Sequence, residues 1–335
     1  MFYWSGNVII NTTRGRFFHK IGYKREEVIF LKFEKHYANY EYSFNDGAYR
    51  FYQNENQYML VATDNIMLRG QVSDIEIPDK GKIFTAFSAE FSSFAEENGF
   101  NTAYIYTDTE GSIQHESWDF IKNEKLSGRT SLLKKLPILP VKFTAYCHLV
   151  DELNELYATG RHLSYGIELP DKLHVGDKLP APVLLLTYAP FDEENAAGKV
   201  LNPSEVSEIV RRKFHTSSFW VAANITGVTL HTCSKFFEKV YKYAYDRWVI
   251  IAKTSFRIGL DSKNHVYFTG EFLTPESSLF WDAADFYVGE YPKSFGREVL
   301  KKYFATTREG SSTQVPRQIL LKARQRYIDL YEKLF

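Results

Sequence analysis

Cysteine is nearly absent: Cys147 and Cys233 are the only two in 335 residues. A disulfide-stapled scaffold needs several pairs and a four-thiolate zinc or iron–sulfur site needs four ligands, so both are excluded. Neither sign of charge is in excess, with 41 Lys and Arg against 41 Asp and Glu. Binding nucleic acid through its phosphates takes a clustered surplus of Lys and Arg, so no nucleic-acid partner is expected. No apolar run approaches the roughly 18 residues of a membrane helix, and Met1–Ile10 lacks the basic region of a signal peptide. The expectation is a soluble, cytoplasmic protein in a reducing compartment, with no membrane partner. The Asn-x-Thr matches at Asn11 and Asn224 are then accidental. The familiar mononucleotide, dinucleotide, zinc-protease and serine-hydrolase motifs are missing, and the nine histidines are dispersed without metal-ligand spacing.

What is abundant is aromatic side chains, 16% of the residues, in a chain 44% hydrophobic overall, which is enough for a packed core rich in rings. Tyr58–Ala62 reads as a buried strand, and Asn45-Asp46-Gly47 as a turn. After the turn at Ile77–Gly81, a helix sets Phe87, Phe91, Phe94 and Ala95 on one face and closes near Gly99. Short strand-like runs alternate with polar turns from 100 to 150. Asn202-Pro203-Ser204-Glu205 is a helix start, and Phe236, Val240, Ala244 and Trp248 predict a helix over 234–248. Val249–Ala252 suits a central strand, and a second strand follows at His265–Phe268. Pro316 opens a final helix with Ile319, Ala323, Tyr327, Tyr331 and Leu334 inward. Strands mixed with grouped helices predict the α+β class.

Four segments in order then resemble one family, the SAICAR synthetases (phosphoribosylaminoimidazole-succinocarboxamide synthases). They are Leu60–Ile66 with Ile77–Thr85; Leu179–Val183 with Asp192–Asn195 downstream; Ile250–Gly259 with Glu271–Trp281; and the ending Val315–Leu334. The resemblance covers about 45–335 and implies two α+β lobes around a central cleft, with antiparallel sheets. The division it suggests is an N-terminal extension of unknown role at 1–44, an N-terminal lobe at 45–135 and a C-terminal lobe at 136–335. Family members use Mg-ATP to activate an imidazole carboxylate and join it to the amine of aspartate, chemistry in which positioning and metal electrostatics dominate.

The chain departs from the family pattern where chemistry is carried. The Gly-Lys-x-Arg turn is Gly47-Ala48-Tyr49-Arg50, keeping Arg50 without the lysine. The arginine after Ala-Thr-Asp is replaced by Asn65. The Val-Val-Arg segment has Tyr146 for its arginine, and its Gly-Ser pair becomes Asp151-Glu152. The Ser-Thr-Lys-Ala-Glu stretch is Leu186–Pro190, with Tyr188. Alternate residues of a strand share a face, and the pattern Asp-x-Lys-x-Glu there is replaced by Lys253, Ser255 and Arg257. Local formal charge moves from −1 to +2, so a cation site reads as an anion site. Gly270 precedes Glu271, and Leu279 follows the kept Ser277-Ser278.

The reading is a repurposed small-molecule enzyme that binds an anionic carboxylate or phosphate without standard Mg-ATP ligation, for condensation or cyclisation. Lys253 and Arg257 clamp the anion, with Arg50, Ser255, Ser277 and Ser278 as further contacts. Acid–base work falls to Glu271, to the Asp192–Glu194 run including Glu194, or to His148 beside Tyr146 and Tyr188. Lys253, crowded by Arg257, is a candidate amine nucleophile. Alternatives stay open. Tyr146 and Tyr188 stack on a planar substrate or fill space, the acidic run is a substrate loop or a solvated turn, and Lys253 and Arg257 are a clamp or a solvated pair. An ATP-dependent carboxylate–amine ligase is the first rival, and only it calls for ATP and Mg²⁺; a binding protein without turnover is the second. A homo-oligomer is compatible with either.

Overall fold

The computed structural model describes residues 40–45, 48–68, 71–108, 127–190, 198–216, 218–287, 292–296, 298–306 and 315–335. The readings on 1–39, on Asp46-Gly47 and on Asp192–Asn195 lie outside them. In chain order the elements are strands β1 (Glu41–Asn45), β2 (Tyr49–Gln53), β3 (Gln57–Ala62), β4 (Asn65–Leu68) and β5 (Gln71–Glu76), helix α1 (Lys80–Glu97), and strands β6 (Asn101–Thr102), β7 (Tyr104–Thr107), β8 (Thr130–Lys134) and β9 (Ile138–His148). Then come α2 (Asp151–Ala158), β10 (Lys178–Tyr188), β11 (Val200–Leu201), α3 (Pro203–Lys213), α4 (Phe219–Tyr245), β12 (Val249–Leu260), β13 (Val266–Thr269), β14 (Ser278–Asp282), α5 (Glu298–Thr306) and α6 (Arg317–Leu334). The chain divides into two compact units. The first runs to Ser93 and resumes from Tyr104 to Lys135; the second takes Phe94–Ala103 and Leu136–Phe335. The stretch 94–103, assigned by sequence to the N-terminal lobe, is grouped with the second unit because β6 adds to β13 there.

The first unit holds an antiparallel sheet in the order β1-β2-β3-β8-β7 and a separate β4–β5 hairpin. The β3 run Met59–Ala62 is buried on both faces, which is why it is continuously apolar. On one face Met59 and Val61 pack with Tyr52 and Leu132. In α1, Phe84, Phe87, Phe91 and Ala95 are fully buried at helical spacing. Gly99, with φ +83°, follows the helix in the left-handed conformation that glycine adopts without a Cβ penalty. The start of α1 is tied to the end of β3 by Asp64. Its Oδ1 accepts from the Gly81 N–H at 2.9 Å and from Arg129 Nη1 at 2.5 Å, and its Oδ2 accepts from Arg129 Nη2 at 2.9 Å.

The second unit is built on one sheet in the order β11-β10-β9-β12-β13-β6, with β14 pairing the first half of β12. All pairs are antiparallel except β13 with β6. Phe236 of α4 meets Phe256, Phe268 and Phe272 with ring centroids 5.6, 4.7 and 5.4 Å apart, an aromatic core between that helix and the sheet. A capping box starts α3: Glu205 N–H donates to Asn202 Oδ1 at 3.0 Å, and Asn202 N–H donates to Glu205 Oε2 at 2.9 Å. The helix predicted over 234–248 begins fifteen residues earlier, at Phe219, and ends at Tyr245. Its first half buries Ala222, Thr226, Thr229 and Cys233, small or hydroxylated residues, beside the one large apolar Ile225, so the apolar stripe is weakly marked there. Trp248 is not on the helix. It sits in the turn before β12 at φ +60° and is 66% exposed.

Candidate functional site

One face of the second unit's sheet carries three side-chain rows, fixed by strand register. In the first, Tyr146 of β9 stands between Val183 of β10 and Lys253 of β12. In the second, Thr144 stands between Leu185 and Ser255, and in the third Lys142 stands between Thr187 and Arg257. Directly opposed residues of neighbouring strands share a face. Lys253, Ser255 and Arg257 therefore do lie together, each half-buried, with Lys142, Thr144 and Tyr146 alongside. Thr144 Oγ1 and Ser255 Oγ are hydrogen-bonded at 3.0 Å.

The first row ends in a compact ionic cluster. Lys253 Nζ lies 2.6 Å from Asp151 Oδ2 and 3.2 Å from Glu152 Oε2, both in the first turn of α2. The Tyr146 hydroxyl donates to the same Glu152 Oε2 at 2.8 Å. Burial pushes the Glu152 carboxyl up, but Lys253, the Tyr146 hydrogen bond, its own backbone N–H and Lys142 together bring it down to about 2. Burial first, and then the charge of Glu152, hold the Tyr146 phenol well above its ordinary value. Lys142 is pushed down by burial; Glu152 opposes this, and Arg257 and Lys253 add to it. Asp151 and Glu152, read from sequence as substitutes for a Gly-Ser pair, are thus counterions to the strand lysine. Positive charge gained on β12 is answered by negative charge gained on α2.

Asp151 makes its contact from φ +46°, a left-handed backbone that costs a residue with a Cβ about 1 kcal/mol or more. Replacing Asp151 with Gly therefore removes the ion pair but relieves the backbone, whereas replacing it with Ala only removes the ion pair. Urea unfolding should place Asp151→Ala below Asp151→Gly by about 1 kcal/mol; equal stabilities would show that the backbone there carries no strain.

The other candidates are placed as follows. Arg257 Nη1 donates to the Ala189 carbonyl, which fixes the guanidinium beside the third row. His148 is 1% exposed; its Nδ1 lies 3.0 Å from the Gly176 carbonyl and its ring packs edge-on to Trp281 and Phe286. Burial lowers its pKa, the Gly176 carbonyl opposing the shift, and the ring is part of the core. Its Nε2 has no hydrogen-bond partner among the described residues. Tyr188 pairs with Val141, on the opposite sheet face from Thr187 and Lys142, and so stands apart from Tyr146. Tyr146 is fully buried, so its ring fills space within the unit and is not open to stack on a planar substrate. Glu271 accepts from Thr274 Oγ1, and Ser277 caps the same turn by accepting from the Thr274 N–H at 3.0 Å. Ser278 is 2.6 Å from Thr254 Oγ1 in the buried β12–β14 contact, a strand-locking role. Arg50 lies on β2 in the first unit. Asp192 and Glu194 lie outside the described residues.

Sequence reasoning missed Lys142. A partial signal was available, since 142, 144 and 146 alternate as 253, 255 and 257 do; the register that sets Lys142 against Arg257 and Tyr146 against Lys253 is visible only in the fold. It also missed Arg129, which lies 65 residues from Asp64 with no local pattern linking them.

Comparison with known proteins agrees with the resemblance. The sequence model of the SAICAR synthetase family matches residues 47–318. The phosphoribosylaminoimidazole-succinocarboxamide synthases of Corynebacterium diphtheriae and Schizosaccharomyces pombe are each 26% identical, over 84% and 82% of this chain and 88% and 87% of their own lengths. That of Corynebacterium ammoniagenes is 28% identical over 84% of this chain and 88% of its own. Among solved structures, SAICAR synthase from Saccharomyces cerevisiae complexed with SAICAR superposes with a TM-score of 0.70 at 21% identity, covering 88% of this chain and 94% of that one. The SAICAR synthetase of Pyrococcus horikoshii superposes at 0.58 and 15% identity, covering 86% and 97%. These likenesses establish the fold. No described helix is long and apolar enough to cross a membrane.

Proposed function

Because this chain belongs to the SAICAR synthetase family, we propose that it is a small-molecule biosynthetic enzyme on that scaffold, acting on an anionic substrate without the family's standard Mg-ATP ligation. The observation that carries this reading is the pairing of Lys253 with Asp151 and Glu152 at 2.6 and 3.2 Å. Where the family pattern sets a strand carboxylate, an ammonium is fixed by two carboxylates of its own chain. Magnesium requires oxygen donors at about 2.0–2.1 Å and would instead face Lys142, Lys253 and Arg257. Among the described residues no three His, Cys, Asp or Glu side chains converge on one point. The residues of this face do not fit the ion, and no step is assigned to it. Their chemistry suits a polarised binding face. Lys253 is the group set against the reacting atoms, Glu152 is held ionised, and the Tyr146 proton is retained for hydrogen bonding. Condensation or cyclisation of an anion is the reaction class proposed, with Glu271 and Glu194 as further acid–base candidates.

Calorimetric titration of the purified protein with ATP, with and without Mg²⁺, tests this. The expected result is no Mg²⁺-dependent binding. Saturable Mg²⁺-dependent binding, with ADP release requiring both a carboxylate and an amine, would overturn it. That outcome would establish the second reading, an ATP-dependent carboxylate–amine ligase. The second reading is favoured by relatives named phosphoribosylaminoimidazole-succinocarboxamide synthase that match more than four-fifths of the chain. It would draw its metal ligands from Glu271 and Asp192–Glu194.

A further inference from the structure

The third row of the sheet face has a composition that the ionic cluster does not explain. Arg257 is opposed by Lys142 across the β12–β9 pair, Lys142 by Thr187 across β9–β10, and Arg257 by Thr269 across β12–β13. The order is hydroxyl, ammonium, guanidinium, hydroxyl, all on one face. We propose that Lys142 and Arg257, flanked by Thr187 and Thr269, form a subsite for one oxyanion of the substrate, a phosphate or a carboxylate; this rests on reading the face as the substrate site.

Like charges directly opposed on neighbouring strands destabilise a sheet, so a Lys–Arg pair needs compensation. Two rows away, Lys253 has its own, in Asp151 and Glu152. Lys142 has none: among the described residues its ammonium makes no hydrogen bond or ion pair. The carboxylate that acts on it, Glu152, is already engaged by Lys253 and Tyr146. Burial and the two neighbouring cations disfavour the charged amine, and an anion would offset both at once. The geometry suits such a guest. A guanidinium offers a planar fork to two oxygens, an ammonium a point charge, and threonine hydroxyls short donors. The Ala189 carbonyl holds the guanidinium in place. The anion contact thereby moves from the Lys253–Arg257 pair expected from sequence to Lys142–Arg257, since Lys253 is neutralised by its own chain.

The test titrates the full-length protein, free of ATP and Mg²⁺, with inorganic phosphate and separately with acetate, read by calorimetry. Saturable binding of phosphate alone assigns a phosphoryl group to the substrate, of acetate alone a carboxylate, and of both an unspecialised oxyanion site; each supports the proposal. Lys142→Met should weaken binding by at least about tenfold, about 1.4 kcal/mol, whereas Lys142→Arg retains it. Without anion, Lys142→Met should unfold at no lower urea concentration than the native chain, because a repulsion has been removed; that readout also shows the variant folds. No saturable binding of either probe overturns the proposal, as does wild-type affinity in Lys142→Met or an equal loss in Lys142→Arg. Mg²⁺-dependent ATP binding would end the proposed function without deciding this titration, so the two can fail separately.

Discussion

Replacing Lys253 with Met is expected to abolish turnover and to lower stability by about 1–2 kcal/mol, between the near-zero value of an exposed ion pair and the 3–5 kcal/mol of a buried one. The intermediate figure follows from exposure: the lysine side chain is 21% exposed, those of Asp151 and Glu152 38% and 56%. The pH dependence is the sharper signature. The carboxyl of Glu152, ordinarily near 4.5, is held near 2 in the folded chain. A group whose folded pKa is depressed contributes stability that is present above the unfolded value and is lost as pH falls through the folded one. The gap between the native chain and Lys253→Met in urea midpoint should therefore be full above about pH 5 and close between about pH 4.5 and 2. Lys253→Arg keeps the charge and should keep most of the stability, while its altered geometry separates a catalytic amine from a merely structural cation by turnover. Unchanged turnover in Lys253→Met would end the assignment of that amine to the reaction. A pH-independent gap would show that Glu152 does not answer to it.

The backbone was far more legible than the site. Helix α3 carries a local signal, Asn202-Pro203-Ser204-Glu205, whose hydrogen bonds form between residues three apart. Strand β12 is apolar enough to announce a central position, and Phe236, Val240 and Ala244 mark their helix by spacing alone. Trp248 continued that spacing into a turn because periodicity cannot register a positive φ. The site depends on pairings distant in sequence: Lys253 meets Glu152 across 101 residues, and Thr144 meets Ser255 across 111. The cations of β12 were visible, but not their counterions on α2. His148 and Ser278 looked functional as residue types and are buried against Trp281 and Thr254.

Replacing Asp64 with Ala should be the most destabilising single change considered, about 3–5 kcal/mol, because it strands a guanidinium. Arg129 is 11% exposed at its side chain and Asp64 18%, so water solvates neither fully. The carboxylate also accepts from the Gly81 N–H in the first turn of α1, where a negative charge complements the unpaired amides. Arg129 Nε already has no hydrogen-bond partner among the described residues, so the bidentate contact through Nη1 and Nη2 is what compensates the buried charge. Removing both charges in Asp64→Ala/Arg129→Met should cost clearly less than the sum of the single changes, since neither charge is then left buried alone. Gly81→Ala probes the same junction sterically. A Cβ there would lie 2.5 Å from the Ala62 carbonyl oxygen and 2.5 Å from Arg129 Nη1. The first is backbone and cannot swing aside, so the strand end or the helix start must shift. Urea unfolding of the four variants, with m-values compared, decides the matter. Additive single and double changes, or an Asp64→Ala loss below about 1 kcal/mol, would place the contact among exposed ion pairs. The predicted coupling would make this junction, whose Asp64 and Gly81 both fall in the segments that resemble the family, a structural fastening of the first unit.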